Sequence, residues 1–349
     1  MTLPTVDTMY LLDFLAGLLN TPSPTGYTDE AIRYTENALA SFQQLKLERT
    51  RKGALLVTWP GERSDHPRAL TAHIDTLGAM VKEIKSNGRL RMTQLGGYPW
   101  NAVEGEGCTV ITLEGKKIRG SILIQAASSH VHGAKTSSMA RDAEMLEIRL
   151  DERTVSEKET RDLGINVGDY VAFDPRVEIT NGFVRSRHLD DKACVACLAA
   201  AAQSMHAAGL KPLQTTYFLF SNFEEVGHGA STGFPNDVGE LVVVDMAAVG
   251  EGQTSDEFHA TVCVKDSSGP YHHGLSTQLR RLAEENNIPH KVDIYPYYSS
   301  DGSALLRTGA DLKVALIGPG VDASHNYERT HSEALTATTQ WILAYLLND

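Results

Sequence analysis

The sequence has 349 residues, with 44 acidic against 32 basic side chains and a formal charge of −12. That length allows one large domain or two ordinary ones, and an acidic excess of this size excludes a nucleic-acid partner, since phosphate binding needs a positive face. Four cysteines are too few for a disulfide scaffold and point to a reducing, cytoplasmic setting.

The first apolar run, "MYLLDFLAGLLN", is interrupted by Asp13 and has no basic residues ahead of it. It reads as an amphipathic helix over 9–20, neither signal peptide nor membrane span, so no membrane partner is expected. After the turn-forming "TPSPTG", a second helix is expected over 28–44, followed by strands in "GALLVTWPG" and "RALTAHIDTLGAMV". From about Gly78 to Arg187 the character changes. Short β-like pieces such as "AMVKEI", "RLRMTQL", "CTVITL" and "DYVAFD" alternate with Gly-containing turns, as in a small barrel or sandwich. In this stretch His130 and His132 read as structural or interfacial residues. Glu104–Gly107 reads as a turn, lacking the strand–helix frame of a nucleotide-binding loop. Past Asp190 a helix over 192–209 leads to strands in "TTYFLFS" and "GELVVVDMA", a helix over 276–289, the strand "KVALIGPG" and a C-terminal helix. That alternation implies a doubly wound sheet. Cys194 and Cys197 form a C-x-x-C with no second pair to complete a zinc site, and read as packing within the Ala-rich helix. The domains expected are an α/β catalytic domain in two segments, 1–77 and 187–349, and an inserted β-rich dimerisation or oligomerisation domain, 78–186.

Five places in the α/β part carry metal-type ligands. His73 and Asp75 lie two apart on a strand, hence on one face. Asp190 and Asp191 precede a helix; Glu224 and Glu225 follow an apolar strand; Asp245 ends another; and His331 lies in a late loop. Singly these residues have ordinary explanations, as turn caps or solvated side chains. Together, such acids cost several kcal/mol to desolvate unless a cation compensates them. Mixed imidazole and carboxylate ligands suit zinc first, with cobalt or manganese as substitutes. Two ions need a bridging carboxylate. Asp190 can bridge, with His73 and Asp245 completing one ion and Glu225 and His331 the other. Asp75 is then left to hold the His73 ring, and Glu224 to move the proton of an activated water.

At these residues the chain resembles the M42 family of dinuclear metallo-aminopeptidases, through "HID", "LDD", "EEVG", "VVVD" and His331, and through "RDLGINVGDYVAFD" in the insertion. The resemblance implies a zinc-peptidase-like mixed-sheet α/β catalytic domain carrying a small PDZ-like β-barrel. It implies a peptide substrate, homo-oligomers from dimer to dodecamer, and the metal ligands His73, Asp190, Glu225, Asp245 and His331. Glu224 would be the general base and Asp75 the orienting acid. The choice of Asp190 over Asp191 rests on this match. "YYSSDGSA" and "NYERTHSEA" depart from the family pattern beside the expected pocket, so a side-chain preference does not carry over. The alternatives are a hydrolase specialised for a small dipeptide amide, an endoglucanase-like glycoside hydrolase using paired acids, and a non-enzymatic assembly or metal-storage protein. Two histidines and surplus acids fit a two-carboxylate glycosidase poorly.

Overall fold

Leu70, Ala72, Val242, Val244, Ala315 and Ile317 enter one hydrophobic core, while Ala69, Leu241, Val243, Val314 and Leu316 enter another. This two-residue alternation is what strands buried on both faces require. It builds a 13-stranded mixed sheet in the computed structural model, which describes residues 2–348. The middle of the sheet is parallel throughout, in the order Gln214–Ser221, Arg63–His73, Glu240–Val244 and Lys313–Asp322. On one side Leu55–Trp59 and then Lys46–Arg49 add antiparallel. On the other, Ala260–Asp266 pairs antiparallel with Lys313–Asp322 and carries His290–Ile294 beyond it. The sheet is therefore mixed, with antiparallel strands flanking the parallel middle.

Helices Thr8–Leu19, Asp29–Leu39, Leu189–Ala207, His273–Glu285 and Ser332–Leu347 contribute to the first core. The short helix Asp301–Arg307 supplies Leu305 to the second. From Ala193 to Ala202 every residue of the Ala-rich helix is apolar and buried. A helix apolar all round belongs at the centre of a core, and its small side chains let Thr8–Leu19 and Ser332–Leu347 pack directly against it. Cys194 and Cys197 are buried, unpaired thiols within it.

Residues 76–175 form a separate compact unit. It is a closed six-stranded barrel in the order Gly78–Ile84, Leu90–Leu95, Leu146–Leu150, Lys117–Ile124, Gly107–Ile111 and Tyr170–Phe173. Val81, Met92, Val110, Ile122, Ile148 and Val171 fill its core. His130 and His132 lie exposed on the short helix Ser129–His132. The boundary expected at residue 186 is corrected to Pro175/Arg176. Phe183–Ser186 meets its backbone hydrogen-bonding needs against Glu328–His331, with Glu178–Thr180 beside it, so both strands belong to the large sheet. The run 68–81, which reads as one strand, is divided between the units: Arg63–His73 ends in the sheet and Gly78–Ile84 begins the barrel. No described helix is long and apolar enough to cross a membrane.

Candidate metal centre

The four parallel strands of the middle sheet end on one rim, the place where open α/β sheets bind ligands. His73 is the last residue of Arg63–His73, and Asp245 follows Glu240–Val244 directly. Glu224 and Glu225 come just after Gln214–Ser221, and His325 just after Lys313–Asp322. Asp190 sits in the first turn of Leu189–Ala207, and its peptide bond to Asp191 is cis. Sharp turns deliver these groups. His188, Phe223 and His325 adopt left-handed φ values of 72°, 67° and 63°. Non-glycine residues hold such conformations at a cost of about 1–3 kcal/mol, and they gather at functional sites.

Asp190 is the hub. Its Oδ1 lies 3.1 Å from His73 Nε2, and its Oδ2 lies 3.4 Å from His325 Nε2. Ser324 Oγ donates to the same Oδ2 at 3.1 Å. Ligand atoms of His73, Asp190 and Asp245 all fall within 4.8 Å of one another. On the other side, Glu225 Oε2 stands 3.6 Å from His325 Nε2. Glu224 Oε2 is 3.8 Å from His73 Nε2, and the Glu224 side chain keeps 13 % of its surface exposed against 3 % for Glu225. Adjacent in sequence, the two glutamates thus face different partners.

Asp75 lies against the His73 ring and has a further task. The His73 Nδ1 approaches the Asp75 main-chain carbonyl at 2.9 Å and its carboxylate at 3.6 Å. The carboxylate also accepts from Glu224 N–H at 3.1 Å, Glu225 N–H at 3.3 Å and Thr25 Oγ at 2.7 Å. It fixes the backbone that carries the glutamate pair. Asp191 is fully buried and accepts from His73 N–H at 3.1 Å, behind the hub rather than in it.

Crowded, buried acids disturb one another's proton affinities. Burial pushes Glu225 up to about 8 and Asp245 up to about 7, with the Asp190 charge adding to both. Burial also raises Glu224 and Asp191 well above the ordinary carboxylate range. For Asp190 burial acts the same way, but the His325 and His73 imidazoles override it and hold the carboxyl below that range. Glu225 Oε1 and Asp191 Oδ1 are buried without a hydrogen-bond partner. Such an oxygen costs about 1–3 kcal/mol and more when charged. Nitrogen and oxygen donors converging on a buried, over-acidic hub fit a divalent cation of the zinc type.

His331, expected among the ligands, is not at the hub. Its ring nitrogen Nε2 bonds the Asn181 carbonyl at 3.2 Å, its Nδ1 accepts from Glu333 N–H at 3.2 Å, and its ring lies 4.8 Å from Phe183 and 5.1 Å from Phe258. The residue caps the last helix and pairs across the sheet with Phe183. His325 stands where a fifth ligand was expected. Glu328, which sequence reasoning passed over, is buried; it accepts from Asp190 N–H and His325 N–H, each at 3.1 Å, and so joins the two loops that meet at the hub. A cavity of about 610 Å³ opens here, lined among others by Asp190, Glu224, Asp245, His325 and Tyr298. Asp301, within the divergent "YYSSDGSA", is buried and accepts from Ala230 N–H at 2.7 Å, from Thr71 Oγ at 3.3 Å and from the Ser221 hydroxyl.

Comparison with known proteins supplies the remaining findings. The sequence profile of the M42 glutamyl aminopeptidase family matches residues 53–341. "Putative aminopeptidase YhfE" of Bacillus subtilis (strain 168) is 47 % identical over 336 residues, covering 96 % of each chain. Among solved structures, an aminopeptidase from the archaeon Desulfurococcus kamchatkensis superposes with a TM-score of 0.86 at 19 % identity, covering 97 % of this chain and 96 % of its own. The Pyrococcus horikoshii TET1 peptidase, described as able to assemble into a tetrahedron or a large octahedral shell, gives 0.83 at 21 % identity, covering 97 % of this chain and 100 % of its own. Both share the large mixed sheet with a separate barrel.

Proposed function

The chain belongs to the M42 glutamyl aminopeptidase family, a family of peptide-bond hydrolases, and on that premise we propose that it releases the N-terminal residue of peptides at a centre of two divalent cations, with Glu224 as general base. His73, Asp190 and Asp245 would hold one ion, and Asp190, Glu225 and His325 the other. The observation that carries this assignment is the pair of Asp190 oxygens, one 3.1 Å from His73 and one 3.4 Å from His325. When bound, the ions would lower the pKa of a water and polarise the scissile carbonyl.

The protein's own groups do the rest. Glu224 opens onto the cavity, so its carboxylate takes a proton from the attacking water and returns it to the departing amine. The burial that raises its proton affinity suits it to hold that proton between the two steps. Asp75 keeps Glu224 at its station through the main-chain N–H. The acidic lining attracts a free α-amine, which confines cleavage to the first residue. The glycosidase alternative gains nothing from the site, whose acids stand against imidazoles rather than as one facing pair.

The decisive experiment strips the protein with chelator, resupplies zinc, cobalt or manganese, and follows residue release from unblocked and N-acetylated peptides. Metal-dependent release from unblocked peptides alone is expected. Silence across the panel with two ions bound per chain would overturn the reading in favour of a small amide substrate. In the same assay Glu224→Gln should lose about 10²–10⁴ in kcat while metal analysis still finds both ions; unchanged turnover would refute its role as base. Self-association we assign to the inserted barrel, where Leu113 and Val155 are 94 % and 77 % exposed; light scattering on the whole chain and on Leu113→Asp tests it. The four buried, unpaired thiols accord with work in the cytoplasm.

A further inference from the structure

The cavity of about 610 Å³ beside the hub has a wall that carries no metal-type ligand of the hub. The chain leaving Asp245 forms the short strand Ala247–Val249, parallel to Lys313–Asp322 with Val249 opposite Asp322. Both chains therefore leave the sheet at the same end, one toward Glu251 and the other toward Ser324 and His325. Just past Glu251 the first of these is pinned. The Gln253 amide nitrogen donates to Asp293 Oδ1 at 3.0 Å and to the Ile294 carbonyl at 2.8 Å. Thr254 N–H and Ser255 N–H each donate to Asp293 Oδ2 at 2.9 Å, and Ser255 Oγ bonds Tyr295 Oη at 2.8 Å. The loop of Glu251 is thus fixed to residues 295–299, which line the cavity with it.

Glu251 itself is uncommitted. Its side chain is exposed and, among the described residues, has neither an ion-pair nor a hydrogen-bond partner. The other acids of the lining, Asp190, Glu224, Glu225 and Asp245, belong to the hub, whose charge bound cations would offset. No lysine or arginine is among the described lining residues, so an acidic side chain entering here meets a carboxylate and no counter-charge. Tyrosine supplies the apolar surface: Tyr295, Tyr297 and Tyr298 all line the cavity, and Tyr297 is 99 % exposed. A long cationic side chain can lay its aliphatic stem along such rings and bring its charge to the acid. We propose that Glu251 is a specificity-determining residue that pairs with the side chain of an N-terminal lysine or arginine, so that this chain selects basic over acidic first residues. The proposal rests on the aminopeptidase reading. Because Glu251 is open to water the pairing is screened, and the selection it confers is about three- to tenfold.

The test compares wild type with Glu251→Gln and Glu251→Lys on metal-loaded protein, using the p-nitroanilides of lysine, arginine, leucine and glutamate. The quantity read is the ratio of kcat/KM values between substrates, which cancels any general loss of activity. In wild type, lysine and arginine should exceed leucine, and leucine should exceed glutamate. Glu251→Gln should reduce the lysine-to-leucine ratio about three- to tenfold, and Glu251→Lys should reduce it further while raising glutamate relative to leucine. A wild type that cleaves lysine no better than leucine overturns the proposal, as does a ratio that neither substitution moves. A wild type inactive on all four anilides and on the panel of unblocked peptides would be a failure of the aminopeptidase reading itself. Calorimetric titration with L-argininamide and its uncharged counterpart L-norleucinamide still decides Glu251 in that case. Tighter binding of argininamide by wild type, lost in Glu251→Gln, upholds the site; equal behaviour of the two proteins, absent binding included, removes it.

Discussion

His325 and His331 stand in the same late stretch of chain and do unrelated work. The first lies against Asp190 and Glu225; the second caps a helix. Their alanine variants should separate cleanly. His325→Ala is expected to retain one ion of two and lose most turnover, as metal analysis after dialysis will show. His331→Ala should keep both ions and lose about 1 kcal/mol of stability in urea, the usual worth of a helix N-cap. The reverse pattern would return His331 to the ligand set. The confusion has a physical source: a polar residue just ahead of a helix looks alike in sequence whether it binds an ion or caps a backbone. Asp245, Glu224 and Glu225 were legible because each interrupts the exit of an apolar strand. Glu328 was not, because followed by Arg329 it reads as solvated surface, and only the fold shows it buried against Asp190 N–H.

The helix Leu189–Ala207 places Asp190 over the rim, and its Ala-rich body decides how close the surrounding helices come. Ala199 is fully buried in that body. Ala199→Leu should therefore destabilise the protein by about 1–3 kcal/mol through overpacking, read as a lower urea midpoint with an unchanged slope. A neutral result would mean the core there is looser than its burial indicates. Element types were mostly readable from periodicity, and so was the insertion of a β-rich unit. Pairing was not. Nothing in "KVALIGPG" tells that one neighbour, Glu240–Val244, runs parallel to it and another, Ala260–Asp266, antiparallel. For the same reason the boundary expected at residue 186 left Phe183–Ser186 on the barrel side, when its partner lies far along the chain at Glu328–His331.

At the scale of the whole molecule, the acidic hub links stability to pH and to metal. Burial raises Asp245 to about 7 and Glu225 and Glu328 to about 8, against an unfolded carboxylate near 4. Between those limits the metal-free folded chain binds more protons than the unfolded one, so its stability falls as pH rises. The contribution is full below about pH 4 and is lost as pH passes through about 7 to 8. Asp190, lowered by its two imidazoles, acts in the opposite direction and weakens the fold on acidification, but it stands alone against these acids and against Glu224 and Asp191, which burial also raises. Chelator-stripped protein should accordingly show a Tm that declines from about pH 5 to 8, with the decline much reduced once cations are bound; a rising Tm in the stripped protein would contradict it. The same hub gathers His73, Asp190, Asp245 and His325 from far-separated parts of the sequence, with residues 76–175 folded apart between the first two. No fragment ending before residue 325 possesses the complete set, and closing such long loops is slow. Under the proposed ligand set, loading with metal would be a late event in the life of each chain, and a filled centre would mark a polypeptide that has finished folding.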